Sequence, residues 1–251
     1  MDQLAYLLAV TEEQAIFLLC AVLFAGIVRG FTGFALSALI MATGALILAP
    51  AELIPVCLML EGVATLIMAR GNVGTADMPM VKWLTIGVVI GSPLGVWLTS
   101  VLPVDQSRLI ALALILVLSA GQLFGLRLPS LTGPRTISVG ILSGAATGLA
   151  SVGGMVVANF AMSLRAPAPV IRATLVMYLA FGMAIGLISL FAFDLLTETA
   201  LWRGAILTPP AIIGVLIGAR LFRPSVQHIY RPLCLSLLTG LAGFGLIRMA
   251  F

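Results

Sequence analysis

Long apolar runs, separated by short polar connections, fill almost the whole chain. A helix of roughly 17–25 apolar residues is long enough to cross a bilayer. The pattern predicts helices at 15–30, 33–49, 51–69, 81–101, 107–126, 137–149, 152–164, 168–193, 202–222 and 231–250. Together these elements predict an all-α polytopic membrane protein.

Two of the apolar runs are interrupted by glycine clusters. The first, from Ala15 to Leu48, is broken at 30–33, and the second, from Ile137 to Leu164, is broken around 148–154. Glycine lowers helix stability by about 1 kcal/mol per residue. Limbs of about 13–17 residues would be about 20–25 Å long, less than the ~30 Å of a bilayer core. Each broken segment is therefore predicted to be a re-entrant hairpin or a pair of short crossings.

The two halves of the chain resemble each other. The matched positions, at offsets of 118 or 119, are Gly26 with Gly144, Gly30 with Gly148, Trp83 with Trp202 and Gly95 with Gly214. Glycines four residues apart also mark ordinary close packing of membrane helices, but the shared order favours a repeat. We predict a first transmembrane repeat at 1–126, a cytoplasmic linker at 127–135 and a second repeat at 136–251. In each repeat a broken first helix pair is followed by three transmembrane helices.

The distribution of basic residues favours hairpins over single crossings. The chain is 61% hydrophobic and 9% charged, with a net charge of +4, whereas soluble domains are about 25% charged. With Arg29 set aside, single crossings divide the other twelve Lys and Arg six to six, and returning segments divide them nine to three. The second division follows the positive-inside rule. It also inverts the second repeat relative to the first and predicts both termini on the periplasmic side of a bacterial inner membrane.

No pattern of catalytic or metal-binding residues is present in the sequence. Cys20, Cys57 and Cys234 are isolated from one another, and His228 is the single histidine. The chain has no HExxH, no CxxC and no P-loop lysine. We therefore predict no enzyme activity, no metal and no cofactor, and a membrane-embedded enzyme is disfavoured.

Arg29 and Glu61 are charged residues within apolar runs, where ionisable groups are costly and are functional by default. One interpretation is an ion pair that only holds two helices together. In the other, Arg29 contacts an anionic substrate through its planar guanidinium, and Glu61 takes up a proton or balances charge. The two interpretations can hold together.

The glycine breaks supply further candidates for binding an anion. The limb after each break begins with unpaired N–H groups and the positive end of a helix dipole. Ser and Thr hydroxyls could add donors, although in membrane helices they commonly bond their own backbone or join helices. Gln122 and Tyr178 are weaker candidates. The predicted substrate-binding residues are Arg29, Gly30, Thr32, Gly33, Ser37, Glu61, Thr147, Ser151, Gly153, Gly154 and Asn159.

The two glycine motifs resemble those of the sulfite exporter TauE/SafE family of membrane permeases. They read GIVRGFTGF at 26–34 and GAATGLASVGG at 144–154. The resemblance implies transport of sulfite, organosulfonates or other small sulfur-containing or carboxylate anions. The chain departs from the family's commoner pattern at Ser151, where a glycine is frequent. It also departs at 33–35, where the glycine cluster is often tighter.

These observations predict a secondary transporter of a small anion, with an organosulfonate or sulfite as the favoured class. Binding would occur where the two broken helices meet near mid-membrane, by alternating access, with energy from an ion gradient, a proton gradient being favoured. A passive anion channel and a membrane subunit of a larger complex are the alternatives. The expected partners are the small anion and the lipid bilayer, with no nucleic acid, and a homodimer stays open.

Overall fold

All regular elements in the described part of the chain are helical. The computed structural model describes residues 8–33, 35–69, 74–126, 131–164, 166–221 and 227–250. The α-helices are α1 Glu12–Thr32, α2 Leu36–Gly44, α3 Pro50–Ala69, α4 Met78–Val101, α5 Val104–Leu123, α6 Ile137–Ala150, α7 Gly153–Ala161, α8 Ala168–Ala192, α9 Glu198–Leu221 and α10 Gln227–Ala250. A short 3₁₀ turn, Gly133–Thr136, precedes α6. Arg70, Arg127, Arg165 and Arg223, which enter the charge argument, and residues 127–130 of the predicted linker lie outside the described residues.

Seven of these helices are long and apolar enough to cross a membrane, within the described residues. They are α1, α3, α4, α5, α8, α9 and α10. The prediction of an all-α polytopic membrane protein is confirmed. The short helices α2 and α7 have nine residues each, or about 14 Å at 1.5 Å per residue. Neither can cross a ~30 Å bilayer core alone.

The first limb of the first broken segment is longer than the sequence pattern predicts. It begins at Glu12 rather than 15, because Thr11 and Gln14 form a capping box at its N-terminus. It runs through Gly30 and ends at Gly33, which caps the helix with φ of 83°. A left-handed residue at this position is the common way to end a helix, and glycine adopts it without a steric penalty. The break therefore lies at 33–35 rather than at 30–33.

The first helix of each half packs closely against a helix of the other half. A Cβ on Gly26 would lie 2.7 Å from the Ala211 carbonyl oxygen of α9, and one on Gly30 would lie 2.7 Å from the Ala219 nitrogen. A Cβ on Gly144 would lie 2.7 Å from the Ser92 nitrogen of α4. Small residues let helix backbones approach in this way. The close approach increases van der Waals contact, which favours helix association in lipid, where no hydrophobic driving force acts between helices.

These two glycine seams, α1 with α9 and α4 with α6, are the most extensive helix contacts in the described chain. Each seam joins the first helix of one half to a long helix of the other half, as expected of a two-fold repeat. The inversion of the repeat and the limits of the two predicted units stay predictions.

The two ends of the first broken segment lie together. Arg203, near the start of α9, donates from Nε to the Leu8 carbonyl at 2.7 Å, just before α1. Its Nη1 pairs with Glu52 in the first turn of α3. The segment α1–α2 therefore begins and ends at one end of the molecule, as a returning hairpin requires.

The glycine seams make a prediction about stability. A Cβ on Gly148 would overlap the backbone nitrogen of Val96, whereas one on Gly240 in α10 would meet nothing within 4 Å. Gly148→Ala should destabilise the protein by about 1–3 kcal/mol through overpacking, and Gly240→Ala should be neutral or stabilising by up to about 1 kcal/mol. Thermal unfolding of both variants in detergent measures the difference, and equal melting temperatures would contradict the seam.

Candidate functional site

The two breaks meet at one cavity. Its volume is about 510 Å³, including the space at its mouth. Its walls come from both halves: the start of α2, the middle of α3, the end of α6, the start of α7 and the middle of α8. The lining residues are Ala35, Ser37, Ala38, Leu58, Glu61, Thr147, Ser151, Val152, Gly153, Gly154, Met155, Tyr178, Leu179, Gly182 and Met183.

A buried ion pair holds the first break. Arg29 is fully buried, and its Nη2 lies 3.0 Å from Glu61 Oε1. The same nitrogen donates to Thr65 Oγ1 at 3.0 Å, and Nη1 donates to the Gly33 carbonyl. Ser37 Oγ donates to the second carboxylate oxygen of Glu61 at 2.8 Å. One guanidinium thereby connects α1, the break itself, α3 and, through Glu61, α2.

Neutral hydroxyl groups hold the second break. Ser143 Oγ donates to the Gly153 carbonyl at 2.6 Å, and the Tyr178 hydroxyl lies 2.5 Å from Ser143 Oγ. Since the Ser143 proton is used on Gly153, the tyrosine is the donor to Ser143. Thr147 Oγ1 donates to the Ser143 carbonyl at 2.9 Å. A Cβ on Gly153 would overlap Thr147 Oγ1, so only glycine fits there.

Both short helices begin at the cavity without a side-chain cap. The residue before α2 is Ala35 and the residue before α7 is Val152, and neither provides a capping hydrogen bond. The first N–H groups of an α-helix have no acceptor within the helix. The N-termini of α2 and α7 therefore present their positive dipole ends, and backbone N–H groups that no side chain caps, to the same space.

Two residues at the breaks have left-handed backbone conformations that favour glycine. Ala35 has φ of 80° and Ser151 has φ of 56°. These are the places where the chain departs from the glycine pattern that the motifs resemble. A residue with a Cβ in this region is strained by about 1–2 kcal/mol. Ala35 and Ser151 therefore keep the left-handed backbone conformation that glycine would favour, at a cost in stability.

The structure divides the predicted site residues into three groups. Ser37, Glu61, Thr147, Ser151, Gly153 and Gly154 line the cavity. Arg29 and Gly33 lie behind it, joined to each other and to Glu61.

The remaining predicted residues make structural contacts away from the lining. Gly30 packs against α9, Thr32 Oγ1 donates to the Val28 carbonyl at 2.8 Å, and Asn159 Nδ2 donates to the Leu118 carbonyl at 3.3 Å. Of the weaker candidates, Tyr178 lines the cavity, whereas Gln122 donates to the Met155 carbonyl at 3.2 Å.

Several residues at the site are missing from the sequence prediction. Ser143 and Thr65 are ordinary helix residues in the sequence, and no motif distinguishes them. Arg172 is not among the predicted site residues either, but it lies near the start of α8, and its Nε would be 3.9 Å from a Cβ on Gly33. Its place beside a glycine break could not be found from spacing within one segment.

Comparison with known proteins agrees with this architecture. Residues 18–245 match the family described as Sulfite exporter TauE/SafE. The chain belongs to this family. No curated protein and no solved structure matches it. The family that the two glycine motifs resemble is thus confirmed over nearly the whole chain. The protein is a membrane transport protein of the TauE/SafE class.

The strained breaks make a second prediction. Ser151→Gly should stabilise this TauE/SafE protein by about 1 kcal/mol, because glycine adopts a positive φ without steric cost. The neighbouring Ala150→Gly, in the helical last turn of α6, should instead destabilise it by about 1 kcal/mol. Chemical denaturation of both variants measures these shifts. Destabilisation by Ser151→Gly would show that the hydroxyl matters more than the backbone strain.

The ion pair makes a third prediction. Arg29→Met or Glu61→Leu alone strands a buried charge, which costs about 3–5 kcal/mol, and changing both together should recover much of that loss. If the guanidinium also supplies the positive charge for the anion, the stable double variant should fail to bind it. Stability and binding must be measured separately on all three variants. A stable double variant with near-native anion affinity would reduce Arg29 to a structural role.

Proposed function

We propose that this protein is a secondary transporter of a small anion, with an organosulfonate or sulfite as the favoured substrate. One observation supports this most directly: the uncapped N-termini of α2 and α7, one from each half, line the same cavity. Paired half-helices whose N-termini face an anionic group are a recurring device of secondary transporters.

The electrostatics of the cavity favour an anion with a single charge. Each helix N-terminus corresponds to roughly half a positive elementary charge, so the two together offer about one. Arg29 and Glu61 neutralise each other. Ser37 and Ser151 add hydroxyl groups at the two breaks. A bound monoanion would therefore find matching charge and hydrogen-bond donors.

The other side of the cavity is apolar and suits an organic substituent. Leu58 of α3 and Leu179 and Met183 of α8 line it. The two helices interlock there, because a Cβ on Gly62 would lie 3.1 Å from the Met183 methyl group, and one on Gly186 would lie 3.0 Å from Leu58 Cδ1. A small sulfonate with a short carbon chain could direct its charged group to the helix ends and its chain to these residues.

Alternating access would expose this cavity to each side of the membrane in turn. The glycine seams join each first helix to a partner in the opposite half, so each seam could move as a unit about the site. An ion gradient would supply the energy, and a proton gradient is the favoured source. This proposal includes a bacterial inner membrane location with both termini periplasmic, supported by the nine-to-three division of basic residues.

Two other functions make different experimental predictions. A passive channel needs a continuous polar pore, whereas this cavity has one wall of leucine and methionine. A subunit of a larger complex would co-purify with a partner and would transport nothing when reconstituted alone. Saturable exchange by the protein alone separates the proposed transporter from both.

The transport proposal is tested in proteoliposomes. Vesicles loaded with unlabelled isethionate, sulfoacetate or sulfite should accumulate the same labelled anion transiently by counterflow, which a channel does not support. Gly154→Val should abolish this activity. Its side chain would enter the cavity beside Leu179, whose flexible Cδ2 lies 3.2 Å from the position of a Cβ on Gly154. We expect at least about a tenfold loss of anion affinity, or more than about 1.4 kcal/mol.

The matched control for this variant is Gly243→Val in α10, where an added Cβ meets nothing within 4 Å. It should retain counterflow. Equal activity of the two variants would remove the start of α7 from the binding site. Counterflow with none of the three anions would leave the favoured substrate class without support.

A further inference from the structure

We propose that Glu61 takes up one proton for each anion that binds, so that the substrate replaces Glu61 as the counter-ion of Arg29. This inference rests on the proposed function and identifies the group that couples the anion to the proton. In this step, the Glu61 carboxylate takes a proton from the solution and becomes a neutral carboxylic acid, while the anion enters the same cavity.

The position of Glu61 makes it the link between the ion pair and the substrate. Its side chain lines the cavity, whereas Arg29 is fully buried behind it and does not line the cavity. Both carboxylate oxygens are engaged, one by Arg29 at 3.0 Å and the other by the Ser37 hydroxyl at 2.8 Å. An anion entering the cavity therefore meets the carboxylate before it meets the guanidinium.

Charge neutrality gives the direction of the coupling. In the empty site, the positive Arg29 and the negative Glu61 sum to zero. An anion alone would give the Arg29–Glu61 pair and its ligand a net charge of −1. The two helix N-termini attract the anion, but as ends of dipoles they add no net charge, and uncompensated charge is strongly disfavoured away from water. Protonation of Glu61 restores neutrality, because the anion then balances Arg29. The anion and the proton therefore stabilise each other in the site.

Ser37 connects the two events through its single hydroxyl proton. It lies in the first turn of α2, whose N-terminus faces the cavity, and it donates to Glu61. A hydroxyl has one donor, so turning it toward an anion withdraws it from the carboxylate. A protonated Glu61 no longer needs that bond and gains a donor of its own.

The other groups around Glu61 do not supply a competing carboxylate. Arg29 approaches from α1 and Ser37 from α2. The buried Cys57 thiol lies one turn earlier on α3, and the Tyr178 hydroxyl from α8 is bonded to Ser143. Arg172 of α8 adds positive charge near Arg29 and Gly33. Among the described lining residues, Glu61 is the one carboxylate.

The test measures proton uptake when isethionate binds to the purified full-length protein. Isethionate carries a sulfonate that stays ionised throughout the neutral pH range, so the ligand itself does not titrate. Calorimetry in buffers of different ionisation enthalpy should give one proton taken up per anion bound. Over the pH range in which Glu61 is ionised in the empty site and protonated in the complex, affinity should fall about tenfold per pH unit, because one proton is taken up on binding.

Glu61→Gln imitates the protonated side chain and should bind isethionate with an affinity that is independent of pH. Glu52→Gln is the matched control, because Glu52 also pairs with a buried arginine, Arg203, but outside the cavity on the same helix. The control should keep the proton uptake and the pH slope of the unmodified protein. If Glu61→Gln does not fold, the proton count of the unmodified protein decides the question.

The outcomes separate this inference from the proposed function. Binding of isethionate without proton uptake, or a normal pH slope in Glu61→Gln, would overturn the role of Glu61 while leaving the cavity as the anion site. Absence of binding at every pH for isethionate, sulfoacetate and sulfite alike would overturn the proposed function, and this inference with it.

Discussion

The structure around the site depends on one buried guanidinium. Arg29 is fully buried and binds the carbonyl at the end of its own helix, a threonine of α3 and the carboxylate of Glu61. In lipid, a backbone group that leaves a helix must find a partner within the protein. Arg29 provides that partner for Gly33, and it can do so because Glu61 neutralises its charge. The break, the ion pair and the cavity wall are therefore one connected arrangement.

The two breaks achieve similar geometry with different chemistry. Thr147 follows Arg29 by 118 residues, the offset that also relates Gly26 to Gly144. At the first break, charged groups hold the backbone, and at the second, the Tyr178 and Ser143 hydroxyls do so. Both short helices still present an uncapped N-terminus to one cavity. Among the described residues, only the first break carries formal charges, which makes the two sides of the site electrostatically different.

The glycine seams explain how broken helices can be tolerated at the centre of this protein. Each first helix lies directly against the backbone of a long helix from the other half. That contact supplies the packing that the interrupted limb cannot make with its own continuation. The cavity lies partly between α3 and α8, where Met183 packs against Gly62 and Leu58 packs against Gly186.

The sequence by itself determined the membrane class, the existence of two glycine breaks and most cavity-lining polar residues. It could do so because apolar length and glycine content act locally along the chain. Only the tertiary structure decided that α1 continues through Gly30, since a capping box and a left-handed Gly33 set its ends. It also placed Arg29 behind Glu61, moved Asn159 to a helix contact and brought Ser143 and Arg172 to the breaks. These positions depend on which helix faces which, and the pairing of distant segments leaves no periodic signal in the residues themselves.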